Sequence, residues 1–301
     1  MRNTLHIEPT TRCTLACPAC PRTTWHELLG KPIDKIDFDY KLLNQFLDCE
    51  SGNNIEILNL CGDYGDAIYY PQLFNFIKDF RHKKFEIHTN GSYRPRNWWK
   101  QLNSLLTEDD VVVFAVDGLG DDNARYRVNS NWDQVVHAID ELKNGPAKLE
   151  CQTIIFSFNY TKLDQIQEWA EGNNMKWYSW RTHRFGKADL EPPQEYTEEK
   201  EFYREEYNNA DVIEIEPDCF NQSVVTSDNY YLPCDWIRNP LTFYRTELFN
   251  NKQRWLNRLD MRNNNLDQVN NVLAEWVDDV KQKGLDGKAE VLCKMKCRKC
   301  Q

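Results

Sequence analysis

The segment Cys13-Thr14-Leu15-Ala16-Cys17-Pro18-Ala19-Cys20 places three cysteines in a C-x3-C-x2-C spacing soon after the short apolar run Leu5-His6-Ile7. Three thiolates on one short loop can ligate three irons of a cubane cluster and leave its fourth iron without a protein ligand. An open metal position is typical of catalytic sites, whereas structural metal sites are closed. Two alternatives remain open, a zinc site that uses Cys17 and Cys20 with another pair, and a C-x-x-C redox pair, which leaves Cys13 unexplained.

Outward from this segment, short β-type runs alternate with amphipathic helical patterns as far as about residue 186. This alternation predicts a parallel sheet, because only a crossover returns the chain in the same direction. A closed eight-unit barrel needs ~250 residues, so we predict an α/β fold with a partial (β/α)6 TIM-like barrel. The predicted strands are Leu5–Ile7, Ile55–Leu60, Phe85–His88, Val111–Val116, Leu149–Phe156 and Lys176–Trp180, and the predicted helices are Tyr40–Leu47, Pro71–Phe80, Asn97–Leu106, Trp132–Leu142 and Lys162–Glu171.

Composition limits the classes of function. The net charge of −10 argues against a surface that tracks a phosphate backbone throughout, although basic residues between Lys281 and Gln301 form a local positive patch. The longest uninterrupted apolar run, Val111–Val116, is far shorter than a membrane span. The first residues lack the apolar stretch of a signal peptide, so we expect a cytoplasmic protein without a membrane partner.

Polar segments follow the second, third and fourth predicted strands. They are Cys61-Gly62-Asp63-Tyr64-Gly65-Asp66, then Thr89-Asn90-Gly91, and then Asp117-Gly118 with Tyr126-Arg127 after it. In a barrel of this type, functional groups gather at the C-terminal ends of the strands. In their order and spacing, the cysteine triplet and these three segments resemble the radical S-adenosylmethionine (SAM) superfamily over about the first 190 residues.

The resemblance implies a [4Fe–4S] cluster held by Cys13, Cys17 and Cys20, with SAM bound to the remaining iron. Reductive cleavage of SAM would then release a 5′-deoxyadenosyl radical that abstracts a substrate hydrogen. The resemblance assigns Gly65 and Asp66 to the amino group of SAM and Arg127 to its carboxylate. The remaining cofactor-binding residues predicted by the resemblance and by strand position are Asn90, Asp117, Gln152 and Asn159.

This chain departs from the family pattern at four positions. Tyr64 and Ala67 replace a Gly and a Pro of the second motif. Ala115 stands where related enzymes have a Ser that meets the SAM carboxylate, so one hydrogen bond is missing. Ala19 stands where an aromatic residue packs near adenine, so adenine packing must come from elsewhere.

The character of the sequence changes after Gly186. Acidic residues dominate from Lys187 to Asp218, with Pro192-Pro193 near the start of the stretch. We predict a barrel domain over residues 1–190, an acidic linker and helix over 191–211, and a small cysteine-rich domain over 212–301. The final segment shows little strand and helix alternation, and it is the kind of module that a metal staples.

A second cysteine set lies in this final segment. The pattern Cys219-x9-Asn229-x4-Cys234 resembles the opening hairpin of SPASM and twitch auxiliary-cluster domains, with Asn229 at a turn position that is usually Gly. Asn tolerates a positive φ, which suits a tight turn. The resemblance implies that Cys297 and Cys300 complete an auxiliary [4Fe–4S] site, with Cys293 as an alternative ligand, while a structural zinc site remains open.

These patterns predict a radical SAM enzyme that modifies a peptide or small molecule with the help of an auxiliary cluster. Its partner would be an electron donor such as flavodoxin or ferredoxin. Two other functions remain open. The basic C-terminal patch suits modification of a nucleotide or nucleic acid, although the acidic total argues against it, and the cysteines suit a non-catalytic zinc or iron–sulfur binding protein.

Overall fold

The computed structural model describes residues 3–62, 64–182, 185–186, 190–196, 214–217, 219–234, 251, 253–288, 293 and 297. The chain divides into two compact units. The barrel unit comprises Ile7–Asp37 and Ile57–Tyr196, and the second unit comprises Met1–His6, Phe38–Glu56 and Thr197–Gln301. Among the described helices, none is both long enough and apolar enough to cross a membrane.

The described strands are β1 (Thr4–Ile7), β2 (Ile57–Leu60), β3 (Lys84–Thr89), β4 (Val111–Ala115), β5 (Lys148–Ile154), β6 (Met175–Trp180), β7 (Val224–Val225) and β8 (Tyr231–Leu232). The described helices are α1 (Pro21–Leu29), α2 (Leu42–Phe46), α3 (Glu50–Asn53), α4 (Leu73–Asp79), α5 (Arg96–Leu105), α6 (Asn123–Tyr126), α7 (Trp132–Leu142), α8 (Ser157–Tyr160), α9 (Leu163–Gly172), α10 (Cys219–Gln222) and α11 (Leu266–Leu285). The predicted helix Glu195–Tyr207 falls mostly outside the described residues, and its first residues belong to the 3-10 turn Gln194–Tyr196.

The barrel unit is built on parallel strands taken in chain order. Strands β2 to β6 pair each with the next, and all four pairs are parallel. The carbonyl of Ile7, the last residue of β1, accepts a hydrogen bond from the backbone N–H of Cys61 at 3.2 Å. Since the pairing is parallel, the polar segments after β2, β3 and β4 emerge at the same edge of the sheet.

Helices of the barrel unit are amphipathic, as α7 illustrates. Its buried residues Val135, Ala138, Ile139 and Leu142 recur at helical spacing, and Asn131 caps its first turn by accepting a hydrogen bond from the N–H of Gln134 at 3.1 Å. Strand β4 has three consecutive buried residues, Val112–Phe114, as expected for a strand covered on both faces.

The second unit contains a helix that the sequence pattern did not lead us to predict. Helix α11 runs for 20 residues and starts at a capping box in which Asn265 and Gln268 each bond the other's backbone N–H. Its buried face includes Trp276, which packs edge-on against the fully buried Trp255 at a centroid distance of 5.1 Å. The second unit therefore has an apolar core in its described part.

Strands β7 and β8 form the predicted hairpin. They pair in antiparallel register, and Asn229 in the connecting turn has a φ of +69°, the left-handed conformation expected from its place in the cysteine pattern. The side chain of Asn229 accepts a hydrogen bond from the N–H of Asp39 at 3.0 Å. The turn is thus fixed within the second unit by a contact distant in sequence.

Replacement of Asp267 by Asn is expected to lower the melting temperature slightly at neutral pH. The carboxylate of Asp267 accepts hydrogen bonds from the backbone N–H groups of Ser51 (3.0 Å) and Glu50 (3.1 Å), and the bonds from Ser51 are the main cause of its lowered pKa. An acid with a lowered pKa in the folded state stabilises the fold above its unfolded pKa, about 3.9. The difference between the proteins should shrink as pH falls below that value.

Thermal unfolding from pH 3 to pH 7 measures this effect. The exposed Asp278 of the same helix provides a matched control, Asp278→Asn. A melting temperature of Asp267→Asn that stays equal to wild type at pH 7 contradicts the prediction.

Candidate active site

The three cysteines of the first segment line one pocket of the barrel unit. Cys17 is buried with 7% of its surface exposed, and Cys13 and Cys20 are half-buried. Two backbone hydrogen bonds hold this loop, from the N–H of Ala16 to the carbonyl of Val128 and from that of Cys20 to the carbonyl of Cys17. The other described residues that line the pocket are Leu15, Pro21, Arg22, Cys61, Gly62, Tyr64, Gly65, Asp66, His88, Thr89, Asn90, Val113, Ala115, Tyr126, Arg127, Gln152 and Ile154.

Burial keeps two of the thiols protonated when no metal is bound. It raises the pKa of Cys13 to about 12, with the nearby charge of Asp66 as a further cause. It raises the pKa of Cys17 to about 11, although the positive charge of Arg127 acts in the opposite direction. Since metals bind thiolates, metal binding at this loop must release protons.

The thiols of this pocket suit an iron–sulfur cluster. In the described part of the chain, no three or more His, Cys, Asp or Glu side chains converge closely enough to hold one metal ion. The three thiols nevertheless share one pocket, and this donor set suits separate irons of a cubane. The buried Nε of Arg22, also on the pocket wall, has no hydrogen-bond partner among the described residues. Such a donor favours an anionic group in the pocket.

Asp66 joins the segments that follow β2 and β3. Its Oδ2 accepts hydrogen bonds from the backbone N–H of Asn90 (2.7 Å), the side-chain amide of Asn90 (2.5 Å) and the hydroxyl of Thr89 (3.2 Å). Its Oδ1 accepts from the N–H of Ile68 at 3.1 Å. Burial raises the pKa of Asp66, and these hydrogen bonds offset that rise only in part. Asp66 therefore positions Asn90, whose side-chain amide lies 3.7 Å from the sulfur of Cys13.

Arg127 enters the pocket from the segment after β4, next to a fully buried acid. Its Nε donates to Oδ2 of Asp117 at 2.6 Å, and Oδ1 of Asp117 accepts from the backbone N–H of Ile154 at 2.7 Å. Burial lowers the pKa of Arg127, but the negative charge of the adjacent Asp117 raises it, and the net change is upward. Arg127 is therefore a permanent cation on the pocket wall. Asp117 holds it there and is not itself among the described lining residues.

The structure gives Gln152 and Asn159 different environments. Gln152, on β5, lines the pocket. Asn159 is fully buried, and its amide donates to the carbonyls of Asp117 and Ile154 and accepts from the N–H of Phe156, each at 2.8 Å. The side chain of Asn159 therefore ties loops together behind the pocket and does not face it.

Several residues of the pocket wall were assigned no role from the sequence. Tyr126 and Ile154 belong to an apolar cluster that also contains Cys17 and Phe156. His88 lines the pocket from β3, one residue before the strand ends, and Cys61 lines it directly after the end of β2. The available signal was position alone, because Ile154, His88 and Cys61 lie at or next to the C-terminal end of a strand. Tyr126 ends the short helix α6 that follows β4.

The second cysteine set lies in the second unit. Cys219 is buried, with 6% of its surface exposed, and Cys234 follows β8. The backbone N–H of Glu216 donates to the carbonyl of Cys297 at 2.7 Å, and that of Cys297 donates to the carbonyl of Cys293 at 3.0 Å. The first bond places the backbone of Cys297 beside Glu216, three residues before Cys219 in sequence. Cys300 lies outside the described residues.

Solved structures share this architecture. SuiB from Streptococcus suis bound to S-adenosylmethionine is 14% identical, with a TM-score of 0.60 over 95% of this chain and 68% of that chain. The protein anSMEcpe with bound S-adenosylmethionine is 15% identical, with a TM-score of 0.61 over 97% of this chain and 87% of that chain. Both neighbours are radical SAM enzymes. The chain has the radical SAM fold.

This likeness confirms the predicted partial barrel with a parallel sheet. In sequence, no family model matches the chain. A tungsten-containing aldehyde ferredoxin oxidoreductase cofactor-modifying protein of Pyrococcus furiosus is 28% identical over 118 residues, which is 38% of this chain. The match spans only 31% of that relative.

Proposed function

We propose that this chain is a radical SAM enzyme that holds a [4Fe–4S] cluster through Cys13, Cys17 and Cys20. The observation that carries the proposal is that the thiols of one loop share a pocket with Arg127 at the C-terminal edge of the sheet. The cluster would supply the electron that breaks the bond between the sulfonium and C5′ of SAM. The resulting 5′-deoxyadenosyl radical would abstract a hydrogen from the substrate.

The remaining residues of the pocket bind and orient SAM in this proposal. Arg127 receives the SAM carboxylate, because a guanidinium donates two parallel hydrogen bonds to a carboxylate. The backbone of Gly65 and the network of Asp66 and Asn90 face the SAM amino group, and Gln152 contacts the ribose or the substrate. Asp117 and Asn159 act indirectly, since they hold Arg127 and the loop after β5.

A peptide is the proposed substrate. SuiB has been solved bound to the precursor peptide SuiA, with a TM-score of 0.63 to this chain, and anSMEcpe has been solved with the Cp18Cys peptide, with a TM-score of 0.59. An external carrier such as flavodoxin or ferredoxin would deliver the electron. We also propose an auxiliary [4Fe–4S] cluster on Cys219, Cys234 and Cys297, with Cys300 or Cys293 as fourth ligand.

The test is SAM cleavage by the purified protein. The chain is prepared without oxygen, loaded with iron and sulfide, and incubated with SAM and dithionite. Release of 5′-deoxyadenosine that requires both the reductant and the iron–sulfur cluster supports the proposal. A stoichiometric zinc content with no 5′-deoxyadenosine contradicts it.

Replacement of Cys234 by Ala is expected to lower the iron content by about four per chain, from about eight, because one of two cubanes loses a ligand. Cys49→Ala, at another half-buried thiol of the second unit, is the matched control and should keep the full iron content. Iron and sulfide analysis of both variants after reconstitution measures the difference. Equal iron in the two variants, or zinc bound to the wild type, contradicts the auxiliary cluster.

A further inference from the structure

The barrel unit contains a second, larger cavity of about 840 Å³ beside the loop of the first cysteine. Cys13, Leu15 and Arg22 line both this cavity and the thiol pocket. Small-molecule sites typically have volumes of roughly 300–1,000 Å³. Neither the cysteine chemistry nor the proposed SAM contacts use the rest of this cavity.

The described charged residues that line this cavity are all positive. Four cations line it, Arg12, Arg22, Lys35 and Arg94, and none of the described lining residues is an Asp or a Glu. Asp37, which is not a described lining residue, offsets the charge of Arg12 through contacts of 2.8–3.1 Å. The other three cations have no carboxylate partner within the described part of the chain. In a protein with a net charge of −10, such a concave positive surface attracts anions.

Two of these cations are held in place before any ligand arrives. The Nε of Arg94 donates to the carbonyl of Ile68 at 2.8 Å, and Arg22 donates to the carbonyl of Leu15. A guanidinium has five N–H donors, so these contacts leave further donors on each head group. Anchored side chains lose less conformational entropy when they bind an anion.

Aromatic rings also line this cavity, next to the cations. Tyr69 and Tyr93 stack with a centroid distance of 4.6 Å and an angle of 11°, and 41% of the surface of Tyr93 is exposed. The guanidinium of Arg94 lies 5.2 Å from the ring of Tyr93 and 5.1 Å from that of Trp98. Tyr69 is buried, so Tyr93 is the exposed ring of the pair. An exposed ring beside fixed cations favours a planar group that carries a negative charge.

We propose that this cavity is a second ligand site, which takes a small molecule with a phosphate or carboxylate attached to a planar ring. Lys35, Arg22 and Arg94 bind the anionic group, and the ring packs against Tyr93. This inference does not depend on SAM cleavage, because its residues and its ligand differ from those of the thiol pocket except at the shared wall.

Isothermal titration calorimetry of the full chain, reconstituted without oxygen, tests the site with phenyl phosphate as probe. Inorganic phosphate, phenol and benzoate separate the contributions of the phosphate, the ring and the carboxylate. We expect one phenyl phosphate per chain, and binding at least tenfold tighter than that of inorganic phosphate or phenol. Saturating SAM should not displace it.

Two variants locate the binding. Lys35→Glu, at an exposed position, and Tyr93→Ala should each weaken phenyl phosphate at least tenfold, whereas Lys148→Glu, an exposed cation of the barrel unit away from the cavity, should leave it unchanged. Equal affinity in all variants, displacement by SAM or no binding at millimolar phenyl phosphate overturns the proposal. A different result also overturns it: phenyl phosphate does not bind, but Lys35→Glu slows reduction of the protein by flavodoxin. The positive surface would then be a docking site for a protein.

Discussion

Replacement of Cys17 by Ala should abolish the formation of 5′-deoxyadenosine from SAM. Cys17 is the most buried thiol of the loop, and it packs in the apolar cluster that backs the pocket. Loss of one of three thiolates leaves two irons without protein ligands, so we expect the cubane to be lost or degraded. The rate should fall by at least a thousandfold, to the background of the assay, which is mass spectrometry of the anaerobic reaction.

Cys151→Ala is the matched control for this experiment. Cys151 is a fully buried thiol of β5 in the same unit and is not among the described lining residues of the pocket. Its removal leaves a small cavity that should lower stability without loss of SAM cleavage. If Cys17→Ala retains wild-type cleavage, or if both variants lose it together while folded, the assignment of the cluster to the first loop is wrong.

Replacement of Arg127 by Lys should weaken SAM binding by roughly 10- to 100-fold while the protein remains folded, because a charge-assisted hydrogen bond contributes about 1.5–3 kcal/mol. Lysine keeps a positive charge beside the buried Asp117, but an ammonium cannot donate two parallel hydrogen bonds to a carboxylate. Equilibrium binding of SAM to the cluster-loaded protein measures the loss.

A double-variant comparison separates binding from stability at this position. Arg127→Met leaves the carboxylate of Asp117 buried and unpaired, which should cost roughly 3–5 kcal/mol of stability. Asp117→Asn combined with Arg127→Met removes that charge and keeps an acceptor for the N–H of Ile154, so stability should recover in part. SAM binding should remain weak in the double variant. Recovery of SAM affinity together with stability contradicts a direct contact between Arg127 and SAM.

The sequence was most informative where local pattern and tertiary structure agree. The apolar run of β4 and the amphipathic pattern of α7 predicted their elements to within one residue, because the apolar residues of each pattern are the ones that become buried. The polar segments after β2, β3 and β4 were predicted to meet because parallel strands end at one edge. Gly65, Asn90 and Arg127 do line a common pocket with the cysteines.

The sequence was less informative about which polar side chains can still bind a ligand in the folded protein. Asp117 and Asn159 belong to the expected segments, yet their side chains bond to loops that are distant in sequence. Whether a side chain is already occupied by such hydrogen bonds depends on its neighbours in three dimensions, so the spacing of residues in the sequence could not reveal it. Helix α11 had a readable pattern, with Val269, Val272 and Trp276 on one face, but we predicted little regular structure after residue 212.

The close approach at Gly65 limits how this site can be transplanted. A Cβ at this position would lie 1.9 Å from the carbonyl oxygen of Thr10, and the next residue, Asp66, donates its N–H to the carbonyl of Arg12 at 3.0 Å. The conformation of the chain just before the first cysteine loop therefore depends on contacts with a segment about fifty residues downstream. If residues 10–20 alone were grafted onto another barrel, the loop would lack these contacts. A functional graft would also have to include residues 61–70.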